Sequence, residues 1–132
     1  MISHNKPWLG KEETAALGKV VKSGWIIASS EVKKFEDKLS KMHGLRFAVA
    51  LNSGTAAIHL SLLALGVGKN DEVILPSYTL SDLLNAINYT GANPILVDIE
   101  KGSFNIDPKQ VAKKINKKTK AIIVPHMLGE SA

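Results

Sequence analysis

Cysteine is absent from this 132-residue chain, so neither a disulfide framework nor a thiolate zinc site can form within it. Arginine is nearly absent. Arg46 is the sole one, and the formal net charge of +5 at pH 7 is carried by lysine. Arginine's planar fork is the usual tool for reading base edges and gripping phosphodiesters, so no nucleic-acid partner is expected. The lysines gather over Lys33–Lys41 and Lys109–Lys120, where they read as solvated helix faces. That charge is compatible with anionic substrates without demonstrating them. No apolar run is long enough to cross a bilayer, and Met1–Trp8 lacks the apolar core of a signal peptide. No membrane partner is expected, and the cytoplasm is the expected location. No histidine pair has the spacing of a metal site.

What is present is a globular composition, 45% hydrophobic, with helix and strand patterns in alternation. Lys11–Ser23 reads as a helix with Glu12 and Glu13 near its positive end and Gly24 as its stop. Glu31–His43 is a second helix, since Val32, Phe35, Leu39 and Met42 recur at helical spacing before Gly44. Phe47–Leu51 reads as a strand, Thr55–Leu65 as a helix, Glu72–Leu75 as a strand and Leu80–Tyr89 as a helix. Pro94–Asp98 reads as a strand, and Asp107-Pro108 as the cap and first residue of a helix reaching about Asn116. Ala121–Val124 is the last expected strand. Short apolar strands separated by helices predict an α/β fold: a three-layer, doubly wound, mainly parallel sheet. Right-handed crossovers then bring Asn52–Thr55, Pro76–Thr79, Asp98 and His126 to one edge, where ligands of such sheets bind.

The most informative stretch on that edge is Asn52-Ser53-Gly54-Thr55, between an apolar β-type run and a helix-type run. Free N–H groups at a helix start can hold a phosphate, helped by the helix dipole and by the Ser53 and Thr55 hydroxyls. No Gly-x-Gly-x-x-Gly or Gly-Lys-Ser/Thr motif is present, so neither a dinucleotide fingerprint nor a Walker loop is implied. An ordinary capped turn remains the alternative. His59 reads as a packing or surface residue. His126, at a strand's carboxyl end, is a candidate substrate contact or else a structural histidine. Asp71-Glu72 lies at the amino edge of its strand and reads as a solvated turn.

Segments in order along the chain resemble the start of the DegT/DnrJ/StrS sugar aminotransferases, pyridoxal-phosphate enzymes of the aspartate-aminotransferase fold (fold type I). They are Ser23-Gly24-Trp25-Ile26, Phe35-Glu36, Asn52–Ala57 with Leu60, and Asp71–Ile74 leading to Pro76-Ser77. Asn85–Ile87, Gly91–Pro94, Val97–Ile99, Asn105–Asp107 and Thr119–Ile123 follow, ahead of His126 and Gly129. The resemblance implies that residues 1–44 are a helical segment packing on the large domain, and that 45–132 are part of the cofactor-binding α/β domain.

It also implies pyridoxal 5′-phosphate as cofactor, held by Ser53, Gly54, Thr55 and Ala56. Leu80 stands where the family usually has an aromatic residue stacked on the pyridine ring, and Ala28-Ser29-Ser30 stands where a later glycine is expected. Trp25 and His126 become candidate substrate contacts. A glutamate-like amino donor, a nucleotide-linked keto sugar and a homodimer are the implied partners. The family's Schiff-base lysine and its pyridine-pairing aspartate fall beyond residue 132, so no catalytic residue is assigned and the isolated chain is expected to be inactive. The alternatives are a truncated relic that at most binds phosphate compounds, or a dehydratase or regulatory member of the same fold.

Overall fold

The computed structural model describes residues 5–27 and 30–132. Ala28 and Ser29, where a family glycine is expected, lie outside the described residues. The described residues form two compact units, within Met1–Ala50 and Leu51–Ala132.

The first unit contains helix α1 (Lys11–Ser23) and helix α2 (Ser30–Met42). Helix α1 starts at a capping box: the Gly10 N–H donates to Glu13 Oε2 at 2.7 Å. It stops at Gly24, whose φ of 73° is a left-handed value that suits glycine. That first-turn hydrogen bond holds the Glu13 carboxyl below its ordinary value. Helix α2 carries two surface ion pairs, Lys33–Asp37 at 3.0 Å and Lys34–Glu31 at 2.6 Å. Such exposed pairs add only tenths of a kcal/mol. Neither helix buries an apolar side chain.

The second unit contains α3 (Gly54–Ala64), β1 (Glu72–Pro76), α4 (Ser81–Thr90), β2 (Asn93–Val97), α5 (Pro108–Lys114), β3 (Thr119–Ile122) and a 3-10 turn at Met127–Gly129. The strands form a parallel sheet in the order β2-β1-β3. Strand β1 is central, and alternation sends its side chains to opposite faces. Val73 and Leu75 pack with Leu62, Leu83 and Ile87 of α3 and α4. Ile74 packs on the other face with Val97, Ile106 and Val111, the last from α5. The result is the expected helix–sheet–helix sandwich.

One expected element is missing. Phe47–Leu51 is not a strand among the described residues; Phe47 and Val49 are 71% and 75% exposed. A β-type run becomes a strand only when a neighbour completes its ladder, and the three strands of this sheet pair among themselves. The Ala50 N–H, which a ladder would use, donates instead to Glu36 Oε1 at 2.9 Å. Other bounds shift as well, mostly by a residue or two. Leu80 is the N-cap of α4 rather than its first residue, α5 ends at Lys114, and β3 runs Thr119–Ile122. The Ile123 N–H still reaches Ile74 O at 2.8 Å, so pairing continues past the end of β3. Asp71 and Glu72, expected as a solvated turn, are half-buried and bonded. Asp71 Oδ2 accepts from Gly68 N at 2.9 Å, and Glu72 Oε2 accepts from Asn116 Nδ2 at 2.7 Å.

Two outcomes follow from these contacts. Ile74→Ala, at a fully buried position, is expected to cost about 2–5 kcal/mol in urea denaturation, whereas Leu128→Ala, at an exposed one, stays within about 0.5 kcal/mol. The folded-state pKa of Glu13 is lowered from the ordinary 4.5, so its cap is in place above that value and is lost as pH falls through the lowered one. The Gly10 amide resonance should therefore titrate at acid pH in the wild type and lose that transition in Glu13→Gln.

Candidate functional site

Helix α3 ends near the start of β1. The Val67 N–H bonds Leu62 O, and the Asp71 N–H bonds Gly68 O, directly before Glu72. Helix α4 ends at the same level, with Thr90 O 4.0 Å from where a Cβ of Gly68 would sit. Both helices therefore run antiparallel to β1, and both begin at the carboxyl edge of the sheet. Topology brings the start of α3, the Ser77–Leu80 loop, Asp98 and His126 to that edge, as the crossover rule predicts.

At the start of α3, Ser53 is extended (φ −159°, ψ 159°), and its Oγ accepts from the Ala56 N–H at 3.1 Å. Ser53 is thus the N-cap. The Ala57 N–H makes the first intrahelical bond, to Ser53 O at 3.1 Å. The N–H groups of Gly54 and Thr55 are left without a partner among the described residues, as the first turn of a helix requires. Gly54 has no positive φ, and a Cβ there would meet nothing within 4 Å. Neither backbone strain nor packing calls for glycine at this position, so the space before the two free N–H groups stays open. A phosphate fits such a cradle: two backbone donors, the positive end of a helix, and the Ser53 hydroxyl, which keeps its own proton while accepting from Ala56.

The remaining candidates are placed as follows. Leu80 is 66% exposed and caps α4 with extended geometry. Asp98 Oδ1 accepts from Ile99 N at 2.9 Å, which orders the loop after β2. His126 is exposed, and its Nδ1 accepts from Ala132 N at 3.0 Å. His59 is half-buried and meets Tyr89 edge-on at 5.6 Å, a packing role. Trp25, in the first unit, is exposed and lines an open groove with Leu9, Leu17 and Lys34.

Two features of this edge were not anticipated. Residues 99–106 close as a hairpin through an Ile99–Ile106 antiparallel bridge, with Gly102 at φ 89° in its turn. From that hairpin Phe104 stacks on Tyr78, ring centroids 5.1 Å apart at 28°. Asn105, 6% exposed, donates from Nδ2 to Ser131 O at 3.1 Å. Asn105 Oδ1 and Thr79 Oγ1 are buried without a partner among the described residues. The turn signal Lys101-Gly102-Ser103 between two apolar stretches was the available hint of the hairpin.

The cap makes a separable prediction. Ser53→Ala should cost about 1 kcal/mol in chemical denaturation, whereas Ser53→Asp, an equally good cap, should stay near wild type.

The family model of the DegT/DnrJ/EryC1/StrS aminotransferase family matches residues 7–132. Among solved structures, Spr1654 of Streptococcus pneumoniae, assigned as a sugar aminotransferase and solved in PLP, PMP and apo forms, superposes with a TM-score of 0.95 at 34% identity. That match covers 99% of this chain and 33% of Spr1654. DesV of S. venezuelae, solved with a ketimine intermediate, gives 0.87 at 36% identity, covering 92% of this chain and 33% of DesV. NtdA of Bacillus subtilis, solved with bound PMP, gives 0.87 at 34% identity, covering 94% and 29%. The chain thus spans about a third of the length of these structures. With its three-layer fold and its open helix-start cradle, this chain belongs to the pyridoxal-phosphate-dependent DegT/DnrJ/EryC1/StrS aminotransferase family.

Proposed function

We propose that residues 1–132 supply the cofactor-phosphate anchor and one wall of the ring pocket of an enzyme that aminates a nucleotide-linked keto sugar with a glutamate-like donor. The observation that carries this reading is the pair of free N–H groups at Gly54 and Thr55, opening onto the carboxyl edge of a sheet covered on both faces. When bound, pyridoxal 5′-phosphate supplies the electron sink of the transfer. The chain's own residues bind and orient. Gly54 and Thr55 donate backbone N–H groups to the phosphate, the Ser53 and Thr55 hydroxyls add donors, and Ser53 holds Ala56 in the cradle. Leu80 covers the ring face by dispersion alone, without the π-stacking of an aromatic side chain. Trp25 and His126 are each proposed as a substrate contact, and a homodimer completes the proposal. No helix among the described residues is long and apolar enough to cross a membrane; the cytoplasm is the proposed location.

A second reading, a non-catalytic phosphate binder, is favoured by the aliphatic Leu80. Reading the coding DNA past the Ala132 codon separates the two. An open frame bearing an aspartate for the pyridine nitrogen and a Schiff-base lysine is expected; a stop codon favours the second reading.

The anchor itself is tested by titrating 4′-deoxypyridoxine 5′-phosphate, which has no aldehyde to react with surface lysines. Binding should shift the Gly54 and Thr55 amide resonances. Ser53→Asp, which keeps the cap but places a negative charge in the cradle, should abolish the shift at unchanged stability. Equal shifts in both proteins, or none in the wild type, would refute the anchor.

A further inference from the structure

The Ser77–Leu80 loop is tied at its two ends. The Ser77 N–H donates to Val97 O at 2.7 Å, and Leu80 O accepts from Leu83 N at 3.2 Å. Between those ties, Tyr78 and Thr79 make no hydrogen bond among the described residues. The specific contact at mid-loop is the Tyr78 ring on Phe104.

Phe104, in contrast, sits on a braced platform. Glu100 N donates to Asn105 O at 3.0 Å, Asp107 N to Asp98 O at 3.1 Å, and Asn105 N to Ser103 Oγ at 3.1 Å. Asn105 Nδ2 ties the same hairpin to Ser131 in the segment after β3. The hairpin therefore joins loops that follow all three strands, and it presents a ring to a loop whose middle has no hydrogen bond among the described residues.

We propose that the Tyr78–Phe104 stack is a positioning element that holds Leu80 over the pyridine ring of the cofactor. The inference rests on the ring-cover role given to Leu80 above. Leucine gains from the ring only by close contact, and dispersion falls steeply with a gap of half an ångström to an ångström. An aliphatic cover therefore depends more on loop placement than an aromatic one, whose quadrupole adds a preferred geometry. Neither Tyr78 nor Phe104 is assigned contact with the cofactor; they act through Leu80.

The test compares the wild-type chain with Tyr78→Leu, which removes the stack but keeps bulk, and Tyr78→Phe, which keeps the ring. The probes are 4′-deoxypyridoxine 5′-phosphate and inorganic phosphate, and the readouts are their dissociation constants and the ring-current shift of the Leu80 methyl resonances. In Tyr78→Leu the pyridine ligand should bind about threefold to tenfold more weakly, as loss of one aromatic pair implies. The Leu80 methyl shift should shrink, while affinity for inorganic phosphate stays unchanged. Tyr78→Phe should restore both, and Phe104→Leu should repeat the Tyr78→Leu result. Wild-type ligand affinity and methyl shift in Tyr78→Leu would overturn the clip and leave the anchor standing. Parallel loss of phosphate affinity would mean general disruption and would also overturn it. A wild type whose amides at Gly54 and Thr55 respond to the ligand, but whose Leu80 methyls do not, would overturn Leu80 as ring cover and the clip with it. Absence of any response would overturn the anchor reading itself.

Discussion

Everything in the unit Leu51–Ala132 depends on burying β1 on both faces. Val73, Ile74 and Leu75 have no exposed surface, and each such side chain is worth about 1.5–3 kcal/mol on transfer from water. A strand buried on two sides needs a helix layer above and another below. It receives α3 and α4 against Val73 and Leu75, and α5 with the hairpin residue Ile106 against Ile74. Parallel neighbours on both sides demand crossovers of one hand, and crossovers of one hand bring every strand-to-helix turn to the same edge. The place where chemistry can occur is therefore fixed by hydrophobic burial before any polar residue is considered.

The start of α3 becomes informative for a related reason. This helix is apolar around its circumference: Leu62 is buried, while Leu60 and Leu63 are half exposed. A helix of that kind belongs in the interior of a larger assembly. These 132 residues cover one of its sides, in keeping with a chain that matches about a third of each related structure. The free backbone donors of α3 lie at its first turn, where Ser53 caps and two N–H groups have no partner among the described residues. An apolar helix whose first turn opens at a sheet edge can hold an anion there.

Elements whose signals are local were legible in the sequence. The acidic first turn of α1, the Gly24 stop and the Asp107-Pro108 start each reside within a few residues, and each forms where the pattern placed it. Phe47–Leu51 was misread because its β-type composition states a preference for extended backbone and says nothing of a pairing partner. The cradle was legible as a backbone feature; that Ser53 would take the Ala56 N–H for itself was not. The Tyr78–Phe104 stack was also hidden, because it joins two loops through a bridge that only the folded sheet brings together.

That contrast divides the site into two parts that are held by different physics. The anchor is built from consecutive residues, and its geometry comes with the helix: once α3 forms, the Gly54 and Thr55 N–H groups point outward together. The cover is not local. Leu80, the cover in the proposed site, ends a loop whose centre leans on a ring from another connection, and that connection is braced by Asn105 against a third. Loss of the Ser53 cap would thus act on the anchor and the fold together, because the cap serves both. Substitutions in the 99–106 hairpin can move the cover while the anchor persists. On the proposed reading, variation in ring placement would therefore arise at positions that touch no ligand, with the phosphate as the fixed point about which the ring is adjusted.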